Sequence, residues 1–206
     1  MTSWYERKVL PQIIRLACGC TALAEGRQEI VSQAEGRVLE LGLGAGANLP
    51  YYRPAAVKEV IGVEPSAELR EIAAAAPRPE GLNLTLREGA AEALPFEDAA
   101  FDMVVCTFTL CTVRDPAAAL SEARRVLRPG GAFLFCEHGA APDADVARWQ
   151  HRLEPVWKRL FGGCHLTRNV SESVGSRFTI ETLRKGYQPK GPRFASWMEA
   201  GRAIAA

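Results

Sequence analysis

The chain lacks the close cysteine pairs that mark structural zinc sites. Its six cysteines occupy positions 18, 20, 106, 111, 136 and 164, and no two of them have the CxxC spacing. We therefore expect no bound metal and no disulfide framework. Cys106 and Cys136 fall within apolar runs, where a thiol packs as a small hydrophobic side chain. This cysteine usage fits a reducing, cytoplasmic compartment.

The chain also lacks an excess of charge of either sign. Its 206 residues include 25 Lys and Arg against 24 Asp and Glu, which gives a net charge of +1. Such a balance provides no electrostatic basis for binding nucleic acid. We therefore expect no nucleic-acid partner.

A long apolar run is missing as well. The segment Leu10–Ala24 is shorter than the roughly 20 residues that a membrane span needs, and it contains Arg15. The polar start Met1–Lys8 gives no sign of a secretory signal. We interpret Leu10–Ala24 as an amphipathic helix that covers a cleft or the sheet, with peripheral membrane contact as a second interpretation. The apolar stripe of this helix comprises Val9, Ile13, Leu16 and Cys20.

Beyond this segment, strands and helices alternate. The alternation predicts a parallel sheet with helices on both faces, and the 48% of hydrophobic residues predicts a packed core. The predicted strands are Arg37–Leu41, Val60–Glu64, Leu82–Glu88, Phe101–Thr107 and Ala132–Glu137, with two more near Thr179–Lys185 and Ala200–Ala205. The predicted helices are Gln28–Ala34, Ala67–Ala76 with Ser66 as N-cap, a turn at Ala91–Leu94, Asp115–Val126, Asp143–Phe161 with a kink at Pro155, and Val170–Ser176.

A glycine-rich turn follows the first predicted strand. Gly42, Gly44 and Gly46 let the backbone fold tightly and approach a ligand, and a helix that Pro50 interrupts is expected to follow. The second strand ends in Glu64, where an acid can bind both hydroxyls of a ribose. These features predict a nucleoside-binding site. An acid at position 40 would repel a pyrophosphate and attract a cationic group, which argues against a dinucleotide.

Five motifs occur in a fixed order between residues 36 and 137. They are ELGLGAG, VIGVEPS, AEALPF, FDMVV and RVLRPGG, and the ordered set resembles the class I S-adenosylmethionine-dependent methyltransferases with a type 11 domain. The resemblance implies a Rossmann-like, seven-stranded, mostly parallel sheet. It also implies one domain, with a helical cap at residues 1–34, a cofactor-binding core at 36–137, and an acceptor-side insert with the final strands at 138–206.

The resemblance implies the contacts of the cofactor, S-adenosylmethionine. The acid at position 40 and the glycine turn face its amino-carboxylate end, the acid at position 64 binds the ribose, and the two residues after it lie against the adenine. Many relatives carry Asp at position 90 to accept the adenine amino group; here Glu92 or the backbone alone would replace it. The implied cofactor residues are Glu40, Gly42, Leu43, Gly44, Gly46, Asn48, Glu64, Pro65, Ser66, Gly89, Ala90, Ala91 (through its N–H), Glu92, Cys106 and Thr107.

Further segments resemble the alkyl thiol S-methyltransferases, which are methyltransferase-like proteins of the animal endoplasmic reticulum. These segments are Val105–Val113, Phe135–His138, Trp149-Gln150, Glu154–Lys158 and Gly163–Arg168. The resemblance implies S-methylation of a small thiol by a monomer or a homodimer. Those relatives carry a hydrophobic membrane anchor, and the N-terminal segment here departs from that pattern.

Three residues are candidate catalytic groups. His138 follows the fifth strand and either takes the proton of the thiol or bonds to a backbone carbonyl. His165 lies in the insert and is a candidate substrate contact. Arg168 either holds the thiolate or pairs with Glu137. N-methylation of phosphatidylethanolamine, methylation of a quinol and a non-catalytic binding module stay open as alternatives.

Overall fold

The computed structural model describes residues 4–18, 21–189 and 191–205. Within these ranges the chain forms seven α-helices and seven strands. The helices are α1 (Trp4–Lys8), α2 (Leu10–Cys18), α3 (Thr21–Val31), α4 (Ala67–Ala74), α5 (Pro116–Val126), α6 (Ala144–Leu160) and α7 (Val170–Gly175). The strands are β1 (Gly36–Leu41), β2 (Val57–Val63), β3 (Leu84–Arg87), β4 (Phe101–Thr107), β5 (Leu127–His138), β6 (Thr179–Tyr187) and β7 (Trp197–Ile204). No described helix is long and apolar enough to cross a membrane.

The strands form one seven-stranded sheet in the order β3-β2-β1-β4-β5-β7-β6. Strands β1 to β5 pair in parallel, and β7 pairs antiparallel with β5 and β6. This arrangement confirms the mostly parallel, Rossmann-like sheet. The strand order reverses between β1 and β4, where a crevice opens at the carboxyl ends of the strands.

The sheet is buried on both faces. One apolar cluster contains Phe101, Phe133 and Phe135 and includes buried residues of α5 and α7. The cluster on the opposite face contains Tyr52 and Leu134 and includes buried residues of α3. Because both faces are covered, the central strands read as continuous apolar runs in the sequence.

The segment after β1 differs from the prediction. The expected helix is absent, and a 3-10 turn at Leu49–Tyr51 follows the glycine loop instead. Gly42, Gly44 and Gly46 all have positive φ angles, which a continuing α-helix does not permit. Pro50 also removes a backbone donor, so the helix does not start here.

In the N-terminal segment the described residues form α2 over Leu10–Cys18 and α3 over Thr21–Val31, so the helix predicted at Gln28–Ala34 ends at Val31 and includes residues from Thr21 onward. The predicted apolar stripe is wrong at Leu16, whose side chain is 71% exposed. Cys20 lies outside the described residues.

Other boundaries shift by a few residues. Strand β3 is shorter than predicted, β5, β6 and β7 are longer, and α6 continues through Pro155. The helical turn expected at Ala91–Leu94 is instead a tight turn closed by a bridge between Ala90 and Ala93. Ser66 is confirmed as the N-cap of α4, since its hydroxyl accepts a hydrogen bond from the Leu69 N–H at 3.2 Å.

Candidate active site

The glycine loop lies at the carboxyl end of β1, and two of its glycines have different roles. A Cβ atom on Gly42 would lie 2.3 Å from Thr109 Oγ1, so this glycine allows close packing against the segment after β4. A Cβ on Gly44 would meet only the Gly42 carbonyl oxygen, at 3.8 Å. The space beside Gly44 is therefore open for a ligand to approach the backbone.

Glu64 lies directly after β2, beside this loop. One carboxylate oxygen accepts a hydrogen bond from the Gly44 N–H at 3.1 Å, and the other accepts one from the Ser66 N–H at 2.9 Å. Burial raises the pKa of Glu64, and these two hydrogen bonds oppose that effect. The carboxylate is therefore fixed between the glycine loop and the start of α4, and each oxygen can accept a further bond.

Glu40 lies deeper than predicted. Its side chain is 1% exposed, and its oxygens accept hydrogen bonds from Asn48 Nδ2 at 2.9 Å and Tyr52 OH at 2.7 Å. Its charge therefore acts from beneath the loop, and its predicted attraction of a cationic ligand group, directly or through water, stays a prediction. Burial raises the pKa of Glu40 to about 7, although the hydrogen bonds from Tyr52 and Asn48 lower it.

Arg27 on α3 is a buried cation that the sequence did not predict. One guanidinium nitrogen donates to Asn48 Oδ1 at 2.7 Å and to Thr107 Oγ1 at 2.5 Å. The guanidinium carbon also lies 4.5 Å from the centre of the Phe108 ring. Its neighbours in sequence are polar or small, so no local pattern marks it as buried. It places a positive charge at the amino-carboxylate end that the resemblance implies.

Arg27 and the glycine loop border a small cleft beside the N-terminal helices. The cleft is lined by Ile14, Arg15, Arg27, Gly42, Leu43, Gly44, Ala45, Ala47, Thr107 and Phe108. Helices α2 and α3 thus cover the glycine loop, as one interpretation of the N-terminal segment predicted. Leu43 also packs under the loop, because a Cβ on Gly62 would lie 2.2 Å from its Cδ1 atom.

Two predicted cofactor residues point elsewhere. Cys106 is fully buried on the opposite side of β4 from Thr107, with its sulfur 3.6 Å from Glu137 Oε1, because successive side chains of a strand alternate between faces. Glu92 accepts a hydrogen bond from the Arg114 N–H at 2.8 Å, before α5, so its carboxylate is not directed to an adenine. Ala91 packs in the core, and Pro65 is exposed beside Glu64.

A second cluster, near Phe108, joins the loop after β4, the end of β5 and the loop before α7. His138 Nε2 lies 2.8 Å from Cys164 Sγ, and Cys111 Sγ lies 3.6 Å from the same sulfur. Trp157 Nε1 donates to this sulfur at 3.4 Å. The hydrogen bond with Cys111 and the contact with His138 lower the pKa of Cys164 to about 4, against the effect of burial. Burial lowers the pKa of His138, but the Cys164 sulfur outweighs it and the pKa is raised.

Glu137 fixes the loop that carries Cys111. Its carboxylate accepts hydrogen bonds from the backbone N–H groups of Thr109, Leu110 and Cys111 at 2.7, 3.0 and 3.3 Å. Glu137 is fully buried, and burial raises its pKa against these three bonds. Its role is thus to orient the segment after β4.

Arg168 does not form the predicted ion pair with Glu137. Its guanidinium donates to the carbonyl oxygens of Leu110 and Val113, the latter at 2.7 Å. Arg168 therefore joins the insert to the loop that carries Cys111. Because this loop already satisfies Glu137 through backbone N–H groups, the carboxylate needs no cation.

We expect Arg168→Ala to destabilise the fold rather than to abolish cofactor binding. Two hydrogen bonds from a charged group would be lost, each worth about 1.5–3 kcal/mol. Chemical denaturation should show a lower free energy of unfolding, while the exposed residue Arg159 changed to Ala serves as the control. Equal stability of the two variants would contradict this role.

His165 is also held by structure. Its Nδ1 atom lies 3.1 Å from Glu154 Oε1 on α6. The other oxygen of Glu154 accepts hydrogen bonds from the N–H groups of Leu166 and Thr167, both at 3.0 Å. Glu154 thus holds the insert that carries Cys164, and His165 belongs to that support. The predicted contact of His165 with substrate stays a prediction.

Comparison with known proteins supports the expected family. Residues 39–135 match the family described as a methyltransferase domain. The chain is 34% identical over 182 residues to the thiol S-methyltransferase TMT1B of Rattus norvegicus, a match that covers 81% of this chain and 68% of that protein. It is 36% identical over 127 residues to a phosphatidylethanolamine N-methyltransferase of Cereibacter sphaeroides, covering 60% of this chain and 61% of that protein.

A solved structure shows the same fold. An S-adenosylmethionine-dependent methyltransferase of Thermotoga maritima has a TM-score of 0.67 and 22% sequence identity, with 97% of each chain covered. A small-molecule substrate is consistent with this family. Three observations indicate the same family: the order of the strands in the sheet, the glycine loop with Glu64 beside it, and the similarity to the rat protein. The chain belongs to the class I S-adenosylmethionine-dependent methyltransferases, in the family that includes the thiol S-methyltransferases.

Proposed function

We propose that this enzyme methylates a small, apolar thiol at sulfur. The observation that carries the proposal is the convergence of three polar groups on one buried sulfur, Cys164, next to the cofactor cleft. A site that provides several polar contacts to one sulfur also suits the sulfur of an acceptor thiol. The rat relative, which is named as a thiol S-methyltransferase, supports the same substrate class.

The cleft fits S-adenosylmethionine. The open space at Gly44 admits a ligand to the loop backbone, and Glu64 provides acceptors for ribose hydroxyls. The Arg27 guanidinium fits a carboxylate, and the charge of Glu40 favours an ammonium group above it. When bound, the cofactor supplies a methyl group on a sulfonium, which is already a good leaving group. The protein therefore has to align the acceptor and exclude water.

We infer that His138 receives the proton of the acceptor thiol. Its Nε2 atom faces the Cys164 sulfur at 2.8 Å. Its Nδ1 atom is buried and has no hydrogen-bond partner among the described residues. With the proton on Nε2, the lone pair of Nδ1 is available to a thiol. Phe108, whose ring centre is 6.5 Å from that of His138, separates this imidazole from the cleft.

Aromatic side chains favour an apolar acceptor. Trp157 stacks on Phe161, with ring centres 4.1 Å apart, and meets Phe194 edge to face at 5.8 Å. Trp157 also contacts the Cys164 sulfur. The Cys164 sulfur thus adjoins a group of aromatic rings, which favours an alkyl or aryl thiol over a charged one.

A set of acceptors with the same alkyl chain tests the substrate class. Hexanethiol, hexanol and hexylamine are incubated with the enzyme and S-adenosylmethionine, and the products are identified by mass spectrometry. We expect a methyl thioether from the thiol and no product from the alcohol or the amine. Methylation of the amine alone would contradict S-methylation.

A lipid headgroup is the second candidate acceptor. Trp4 and Leu16 on the N-terminal helices are 69% and 71% exposed, which is compatible with contact to a membrane surface. Sedimentation with vesicles of phosphatidylethanolamine and an anionic lipid distinguishes a lipid acceptor from a thiol acceptor. An enzyme acting on lipid should bind them in a salt-sensitive manner, and turnover on the vesicles would replace the thiol proposal.

Cofactor binding should release a proton near neutral pH. Because the pKa of Glu40 is about 7, part of the population is protonated at that pH, and the cofactor ammonium favours the ionised form. Calorimetry in buffers of different ionisation enthalpy should detect the release at pH 6–7 and lose it well above the pKa. Glu40→Gln, which keeps partners for Asn48 and Tyr52, should abolish it. An equal release by this variant would contradict the assignment.

A further inference from the structure

Three groups that commonly bind metals meet behind the cofactor cleft. Cys111, His138 and Cys164 each offer one ligand atom, and these atoms lie within 4.8 Å of one another. Cys111 and Cys164 are buried, His138 is partly buried, and neither cysteine is part of a disulfide. The cysteine spacings predict no metal site, because they report only ligands that are close along the chain. Here Cys111 follows β4, His138 ends β5 and Cys164 precedes α7.

The distances are close to those of a tetrahedral zinc site. Two thiolates bound to zinc at about 2.3 Å lie about 3.8 Å apart, and Cys111 Sγ is 3.6 Å from Cys164 Sγ. An imidazole nitrogen on the same ion lies about 3.6 Å from each thiolate. His138 Nε2, which is 2.8 Å from Cys164 Sγ, would have to withdraw by about 0.8 Å. A rotation of one buried ring is a small adjustment.

The backbone that carries the ligands is fixed from several sides. The Glu137 carboxylate binds the Cys111 N–H, and the Cys111 carbonyl accepts a hydrogen bond from the His165 N–H at 2.8 Å. Arg168 joins the same loop to the insert through two carbonyls. Cys111 and Cys164 are therefore held together by contacts that do not involve their sulfurs. Such preorganisation is what a metal site needs.

We propose that Cys111, His138 and Cys164 bind one Zn²⁺ ion and leave its fourth position to the sulfur of the acceptor thiol. Catalytic zinc sites keep three protein ligands and one open position, and Cys₂His is one of their ligand sets. Zinc binding displaces one proton from Cys111 and one from the Cys164–His138 pair, and the acceptor loses its proton to solvent when its sulfur binds the ion. In this form His138 acts as a zinc ligand rather than as the proton acceptor of the proposed function. The role of the open position rests on the proposed function, whereas the binding of zinc does not.

The position of the cluster suits this role. Phe108 lines the cleft, and its ring centre is 6.5 Å from that of His138. An acceptor sulfur held at the cluster would thus lie near the cleft, where transfer requires it to contact the cofactor methyl group. Trp157 and Phe161 provide an apolar surface for the rest of the acceptor. A soft ligand site of this kind selects a thiol over an alcohol or an amine.

Metal binding is tested on the full chain after treatment with a chelator. Zn²⁺ and, separately, Co²⁺ are titrated, and retained metal is measured by elemental analysis after gel filtration. We expect about one equivalent, with thiolate-to-cobalt charge-transfer bands. Cys164→Ser and Cys111→Ser should each weaken binding at least tenfold, while Cys136→Ser, which changes a buried cysteine outside the cluster, should not. Circular dichroism identifies any variant that fails to fold.

Two results would overturn the zinc site: no retained metal in the unchanged protein, or equal retention by the Cys164→Ser and Cys111→Ser variants. Adding hexanethiol to the Co²⁺ form should change the charge-transfer bands. An unchanged spectrum would overturn the claim that the acceptor sulfur binds the fourth position of the metal. Full S-methylation by metal-free enzyme would overturn the inference and leave the proposed function standing. Zinc binding without methylation of any thiol would instead overturn the proposed function.

Discussion

Glu64→Ala is expected to weaken S-adenosylmethionine binding at least tenfold. The carboxylate is held between the N–H groups of Gly44 and Ser66, and each of its oxygens has a further lone pair for a ribose hydroxyl. Hydrogen bonds to a charged group are worth about 1.5–3 kcal/mol each, and two of them would be lost. Isothermal titration calorimetry with the cofactor measures the change.

A second variant separates ribose binding from support of the loop. Glu64→Gln keeps an acceptor for one N–H group but loses the charge, so it should retain the fold and still bind the cofactor more weakly. Glu88→Ala is the control, because Glu88 pairs with Arg70 near the same edge and its side chain is 76% exposed. Unchanged affinity in both Glu64 variants would show that this acid does not bind the ribose.

His138→Ala is expected to lower turnover on a thiol about 100-fold or more and to leave cofactor affinity unchanged. His138 lies in the acceptor cluster beyond Phe108, so its removal affects the acceptor rather than the loop that binds the cofactor. Steady-state kinetics with hexanethiol measures turnover, and calorimetry measures cofactor affinity.

The control is His151→Ala, since His151 lies on the exposed face of α6. It should behave as the unchanged enzyme. Normal turnover by the His138 variant would show that His138 takes no part in the reaction. A matching loss of cofactor affinity would mean that the substitution disturbs the cleft, which contradicts the separation of the two regions.

The cofactor side of the molecule was largely predictable from sequence. The glycine loop after β1 and Glu64 after β2 are local patterns, in which a strand, a turn and an acid follow one another along the chain. The helix expected after the loop is wrong because three positive φ angles and Pro50 leave room only for a 3-10 turn. Glu40 was placed correctly on β1, but a sequence does not show that Asn48 and Tyr52 cover it.

The acceptor side was less predictable. Arg27 reaches the loop from α3, and Glu154 reaches the insert from α6, so each acts far from its neighbours in sequence. The Cys111, His138 and Cys164 cluster likewise forms only when two loops meet the end of β5. Arg168 was expected either to hold the thiolate or to pair with Glu137, but Arg168 and Glu137 both bind the backbone of the loop between them. Such contacts depend on tertiary packing, which no local pattern encodes.

The most direct test of the account is the release of S-adenosylhomocysteine with a panel of acceptors. The panel contains an alkyl thiol, sulfide, a dispersion of phosphatidylethanolamine and a quinol, each at the same enzyme and cofactor concentrations. We expect turnover on the thiol and on sulfide, with neither the lipid nor the quinol acting as an acceptor. Turnover on the lipid or the quinol alone, with the cofactor bound normally, would contradict the proposed acceptor.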